Sequence, residues 1–219
     1  MILDPFIRKS GAGGLITLQD QRSYYFGTTI NPAVLGTLDC TNADTVVIAS
    51  MIYLNGDVTS VTDSDGDTYV KLNSIIYSRT YLSIWSAVGI TKSSNKVITL
   101  TYTSGRTKNF HLACAYSGVD QVTPLYDYQA VSGDNPSVVV TPTAAADGII
   151  SMSGRWKGTP QPPVPTAAGQ IELWSQAGSN FGASVCHELA PGIGAKAHSW
   201  SVAGGGYDAT NACVIKAAI

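Results

Sequence analysis

Apolar and polar residues alternate with a period of two along much of this chain. From Val97 to Asp120, Ile98, Leu100 and Tyr102 oppose Thr99, Thr101 and Thr103, and Phe110, Leu112, Cys114 and Tyr116 oppose Asn109, His111 and Ala113. β-Branched and aromatic residues at this period predict half-buried strands. The polar stretch Ser104 to Lys108 between them predicts an antiparallel hairpin. Thr45 to Leu54 is apolar on both faces, as in a strand covered on both sides. Further strands are expected at Leu15–Leu18, Val58–Thr62, Thr68–Ile76, Tyr81–Val88, Leu125–Val131, Ser137–Thr141, Gly148–Gly154, Gln170–Trp174, Ala183–Leu189, Ala197–Val202 and Asn211–Ala217. Gly, Asn, Asp and Ser clusters punctuate them. Gly158 to Pro165 holds four prolines and reads as an extended surface loop, because proline lacks the ladder donor. About a dozen strands, no helix beyond a turn or two and no visible repeat at a fixed period predict an all-β chain. The expected fold is one antiparallel β-sandwich over residues 37–219, with residues 1–36 as an N-terminal arm or first strands.

Composition narrows the function classes. Only 13% of the 219 residues are charged, against about 25% in an average protein; Thr, Ser, Gly and Tyr fill the surface role. A net charge of −2 leaves no electrostatic footprint for nucleic acid, and no basic amphipathic run suggests a membrane surface. In MILDPFIRKS the charges Arg8 and Lys9 follow the apolar residues, and Asp4 and Pro5 interrupt them, so no signal peptide is expected. Nor does any run approach the ~18 apolar residues of a membrane span. The four cysteines, Cys40, Cys114, Cys186 and Cys213, form no CxxC pair and lack a histidine at zinc-finger spacing. They read as small buried hydrophobes, with a disulfide formed after release from the cell left open.

The order of motifs carries a resemblance. VTSVTDSDGDTYVKL, LSIWSAVGI, VITLTYTS, LACAYSGVD, PLYDYQAVSG and DGIISMSG, in that order, resemble a jelly-roll-like or lectin-like β-sandwich module. That module recurs in head and tail appendage proteins of tailed bacteriophages and in bacterial surface proteins. The resemblance covers about Leu38 to Lys157, and ACVIKAAI fits the module's closing strand. Its motifs are turns and core residues, so it implies display or adhesion and no fixed ligand.

Candidate chemistry is sparse. Asp63, Asp65 and Asp67 in DSDGDT could converge on Ca²⁺ through oxygen ligands. An EF-hand loop needs its glycine sixth and a glutamate twelfth, whereas here Gly66 is fourth and Ser74 twelfth, and the plainer reading is a turn. His187-Glu188 lacks the rest of HExxH, and on a strand the two point to opposite faces. Gly192 to Lys196 lacks the Ser or Thr of a phosphate loop. There is no G-x-S-x-G elbow, and the two glutamates, Glu172 and Glu188, leave glycoside cleavage to the aspartates. His111 and His198 could meet a serine only through tertiary folding. Trp156 and Tyr207 are the candidate ligand-surface aromatics, and Tyr24, Tyr25 and Phe26 the candidate assembly arm, with packing as the plainer reading of both groups. The expectation is a non-enzymatic virion structural protein without a cofactor. It would be assembled in the host cytoplasm as a head decoration, appendage, tail or fibre subunit. Its expected partners are other virion subunits, copies of itself or a host-surface glycan or protein. The alternative is a carbohydrate-binding adhesive module on a cell surface.

Overall fold

The computed structural model describes residues 14–27, 30–53, 56–103, 108–156, 161–178, 181–201 and 207–218. The described chain is all-β. Eight strands form its first part: β1 (Thr17–Phe26), β2 (Ala33–Leu38), β3 (Thr45–Tyr53), β4 (Val58–Asp63), β5 (Val70–Tyr77), β6 (Thr80–Val88), β7 (Lys96–Tyr102) and β8 (Lys108–Ser117). Eight more form the second: β9 (Leu125–Ser132), β10 (Ser137–Val140), β11 (Gly148–Trp156), β12 (Val164–Pro165), β13 (Ile171–Ala177), β14 (Phe181–Leu189), β15 (Lys196–Ser201) and β16 (Tyr207–Ile215). All pairings between them are antiparallel.

The first part makes a five-stranded sheet, β1-β8-β3-β6-β5, and a three-stranded sheet, β2-β7-β4. The second makes β9-β16-β11-β14-β13 and β10-β15-β12. Adding eight to every label of the first pair of sheets generates the second pair. The expected antiparallel sandwich is therefore built twice, as two modules of one topology. One core lies between the sheets of each module, and a third, the largest, joins the two five-stranded sheets. The layers run three, five, five, three.

That layering explains the unbroken apolar run of β3. All nine of its residues are buried, with Val47, Ala49 and Met51 in the central core and Val46, Ile48 and Ile52 in the first module's own core. β8 divides its residues in the same way, Phe110, Leu112 and Cys114 inward and Ala113 and Ala115 outward. The hairpin expected from residues 98–116 does not form. β7 pairs with β2 and β4, while β8 pairs with β1 and β3. The two strands therefore lie in different layers, since period two sets the buried face of a strand and not its partner.

The modules meet as the halves of an isologous interface do, like position to like. Tyr53 and Trp156, the last residues of β3 and β11, stack with centroids 5.9 Å apart. Two steps back, Met51 faces Gly154, where a Cβ would lie 2.6 Å from the Met51 sulfur. A methionine on each side could not fit, and glycine resolves the conflict. Asp44 and Asp147 precede β3 and β11 and share one equivalent bond: Gly118 N–H to Asp44 Oδ2 at 2.8 Å, and Ala217 N–H to Asp147 Oδ1 at 3.0 Å. β1 and β2 are integral to the first module's two sheets.

Candidate functional site

The DSDGD turn joins β4 to β5, and its carboxylates do converge on a cation, the ammonium of Lys96 at the start of β7. Lys96 Nζ lies 3.2 Å from Asp63 Oδ2, 2.7 Å from Asp65 Oδ2 and 2.6 Å from Asp67 Oδ2. The Lys96 and Asp63 side chains are 0% exposed. Asp63 Oδ1 accepts the N–H groups of Asp65 and Asp67, and its Oδ2 accepts the Tyr69 hydroxyl at 3.0 Å. Asp67 Oδ1 accepts the Thr91 N–H and the Thr91 hydroxyl, each at 3.0 Å. Burial would drive the Lys96 amine toward neutrality, but the surrounding carboxylates outweigh it and hold the amine protonated. Among the described residues no group of three or more His, Cys, Asp or Glu is arranged to hold a metal ion.

A second cluster joins residues far apart in sequence. Ser151 on β11 has its Oγ 2.6 Å from Nδ1 of His198 on β15, and His198 Nε2 lies 3.2 Å from Glu188 Oε2 on β14. Burial pushes the imidazole down to about 4, so it is neutral near pH 7. Nδ1 then accepts the serine hydroxyl, and Nε2–H donates to the carboxylate. The order of groups is that of a hydrolytic triad with the ring nitrogens exchanged. Ser151 and His198 are both fully buried between the sheets of the second module, where a nucleophile would meet no substrate. The row ties β15 to β11 and β14. Its neighbours on that face include Arg155 and Asp208, paired across β11 and β16, with Arg155 Nε 3.9 Å from Asp208 Oδ1. Burial raises the Asp208 carboxyl to about 6.

The aromatic candidates fall at the end of the central core. Trp156 is half-buried, with Tyr53 on one face and the Arg79 guanidinium 5.1 Å from its ring centroid. Tyr53 continues to Phe181 at 5.5 Å, and Phe181 to Phe110 at 5.2 Å. Tyr25 stacks on Phe110 at 4.9 Å, while Tyr24 and Phe26 turn to the first module's own core. The aromatic run of β1 is thus packing shared between two cores. The Tyr207 side chain lies outside the described residues. His187 and Glu188 do face opposite ways, His187 toward Tyr116 and Glu188 toward His198. All four cysteines are free and buried.

Sequence reasoning missed Lys96 and the Ser151–His198–Glu188 row. Lys96 stands at a strand start among polar residues, and only the layer closing over it buries the amine. Ser151 left a faint signal as a polar residue within the apolar run of β11.

No protein-family model matches the chain, and no curated protein does. Among solved structures it is similar to the PBSX exported protein XepA, at 12% identity over 94% of this chain and 87% of that one, with a TM-score of 0.19. A TM-score that low carries no argument about function. Among the described residues no helix is long and apolar enough to cross a membrane.

Proposed function

We propose that the chain is a non-enzymatic structural subunit of a bacteriophage virion, a head decoration or appendage or a tail or fibre subunit. The observation that carries this reading is where the exposed aliphatic residues fall. Val34 on β2, Val70 and Ile76 on β5, Val139 on β10, Val164 on β12 and Ile171 on β13 are all exposed. Each of these strands is the edge of its sheet. Among described strand residues, the other large exposed aliphatic is Val88, which ends β6. Edges are normally blunted by charge, since they present unpaired backbone groups to other chains. Aliphatic edges suit a protein that works by packing against neighbours through strand addition and side-chain contact. The order of motifs described above supplies the virion context.

The experiment has two readouts. Light scattering of the purified chain, with and without reductant, should give a defined oligomer that Ile76→Lys or Ile171→Lys lowers in mass while the thermal midpoint holds. Peptide mass spectrometry of density-purified particles should find the chain at stoichiometric level. A monomer at all concentrations together with absence from particles overturns the proposal. Failure of a fluorophosphonate probe to label Ser151 is also expected, and labelling would reopen an enzymatic reading.

A further inference from the structure

From the Lys96 cage we infer that Lys96 and Asp67 condense into an intramolecular isopeptide bond, a covalent staple between β7 and the β4–β5 turn. The site holds each part that amide formation needs. The nucleophile is the Lys96 amine, enclosed and 2.6 Å from Asp67 Oδ2. The electrophile is the Asp67 carboxyl carbon, whose Oδ1 already accepts two donors from Thr91. Those donors sit where negative charge gathers when an amine adds to a carboxyl, as in an oxyanion hole. The proton relay is Asp63, fully buried, 3.2 Å from Nζ and fixed by the Asp65 and Asp67 N–H groups and the Tyr69 hydroxyl. Asp65, 2.7 Å from Nζ, keeps the amine in place.

The step balances without any co-reactant. The ammonium passes one proton to Asp63, and the free amine forms a C–N bond to Asp67 Cγ, with charge building on Oδ1 against Thr91. A second nitrogen proton follows by the same relay, both protons reach Oδ2, and the C–Oδ2 bond breaks to release one water. An ammonium and a carboxylate become one neutral amide. In water the ions would win; here they are desolvated, which raises them relative to the amide. The resting ammonium makes the reaction slow, since only its deprotonated form attacks.

Two lysines serve as internal comparisons. Lys196 begins β15 as Lys96 begins β7, but it is only half-buried, and its charge acts on the single carboxylate of Glu188 with no cage around it among the described residues. Lys71 pairs with Asp57, but both are partly exposed and no second carboxylate joins them among the described residues.

The test is the denatured intact mass of the full chain, expressed and then held folded near neutral pH. The expected mass is that of the sequence less one water. Trypsin should release a branched peptide joining residues 23–71 to residues 93–106, with cleavage after Lys96 abolished. Lys96→Arg, which keeps a cation in the cage, should have its full sequence mass, and Thr91→Val should slow the loss of water at least tenfold. Wild-type protein that keeps its full mass after days of incubation overturns the inference, as does water loss that maps to Lys196 or Lys71.

Discussion

Asp147 and Asp44 hold the same place in the two modules, and the difference between them is measurable. Asp147 is fully buried. Its Oδ2 accepts the Thr143 N–H at 3.1 Å, the Ala144 N–H at 2.9 Å and the Tyr126 hydroxyl at 2.6 Å, and its Oδ1 accepts the Ala217 N–H at 3.0 Å. The Asp44 carboxylate accepts the Gly118 N–H, while its other oxygen is buried without a hydrogen bond. Asp147→Ala strands the Ala144 and Ala217 N–H groups outright, while the Thr143 N–H keeps the Tyr126 hydroxyl oxygen at 2.7 Å and the Tyr126 hydroxyl keeps Thr143 Oγ1 at 2.9 Å. At about 1–3 kcal/mol for each stranded group, and with water reaching the Thr143 end, the loss should be about 3–5 kcal/mol. Asp44→Ala strands one donor and also removes an unsatisfied oxygen, so it should cost about 1 kcal/mol. Urea unfolding is the assay, followed by far-ultraviolet dichroism and by tryptophan fluorescence. With a slope of about 2–3 kcal/mol/M, Asp147→Ala should lower the midpoint by about 1–2 M and Asp44→Ala by under about 0.5 M. Trp156, Trp174 and Trp200 lie in the second module and Trp85 in the first, so fluorescence weights the module that Asp147 organises. Equal losses for the two variants would refute the reasoning, because the modules would then be insensitive to how many donors each carboxylate serves.

Acid should destabilise the fold. Burial lowers all three histidines, His111 to about 3 and His198 to about 4, with His187 lowered as well. Between those values and the usual 6.5 the unfolded chain binds more protons than the native one, so stability is full above about pH 6.5 and is lost as pH falls toward 4. Asp208, raised to about 6, and Glu188, also raised, oppose this by gaining stability as pH falls, but three histidines outweigh them. His198 alone should contribute about 3 kcal/mol to the fall, and a urea midpoint that holds steady from pH 7 to 4.5 would contradict it. At the module interface, Gly154→Met should cost about 1–3 kcal/mol by overpacking against Met51. The exchange Met51→Gly with Gly154→Met should recover at least half of that loss, read as thermal midpoints. Ser151→Ala should cost about 1 kcal/mol by leaving His198 Nδ1 without its donor, and a cost near zero would remove the row's structural role.

Strand existence was legible because burial on one or two faces leaves a period. β3 reads as doubly covered from its sequence alone, and the edge strands read as alternating. Partnership was not legible: the pattern of β7 and β8 is the same whether they pair or lie in different layers. The duplication was hidden for a related reason. Equivalent strands begin at 17 and 125, at 45 and 148 and at 108 and 207, so the interval drifts and no fixed period survives. What the modules share is face-to-core assignment, and many different side chains satisfy that. Cys114 and Cys213, equivalent and both in the central core, are among the few identities left. The carboxylates of the candidate site were visible as a cluster. Their cation was not, because it comes from a strand about thirty residues on, and registry between strands is a tertiary property.

The two modules then show how one scaffold accommodates different chemistry at one position. Each must fasten the turn before its outermost long strand, β5 or β13, to the neighbouring three-stranded sheet. The second module does this with a neutral group: Gln170 Oε1 accepts the Ala167 N–H and the Ser199 N–H, each at 3.0 Å. The first uses charge, with three carboxylates around one enclosed amine. A neutral amide could have served in both, and it would have avoided the desolvation of four ionised groups. If turn fastening were the whole role, Lys96→Gln with Asp65→Asn and Asp67→Asn, which removes the enclosed amine together with two of its counter-ions, should hold the first module as firmly as Gln170 holds the second, and its urea midpoint should stay within about 0.3 M of wild type. A larger fall would mean that the charged cage contributes more than a neutral fastening can, as a covalent staple would.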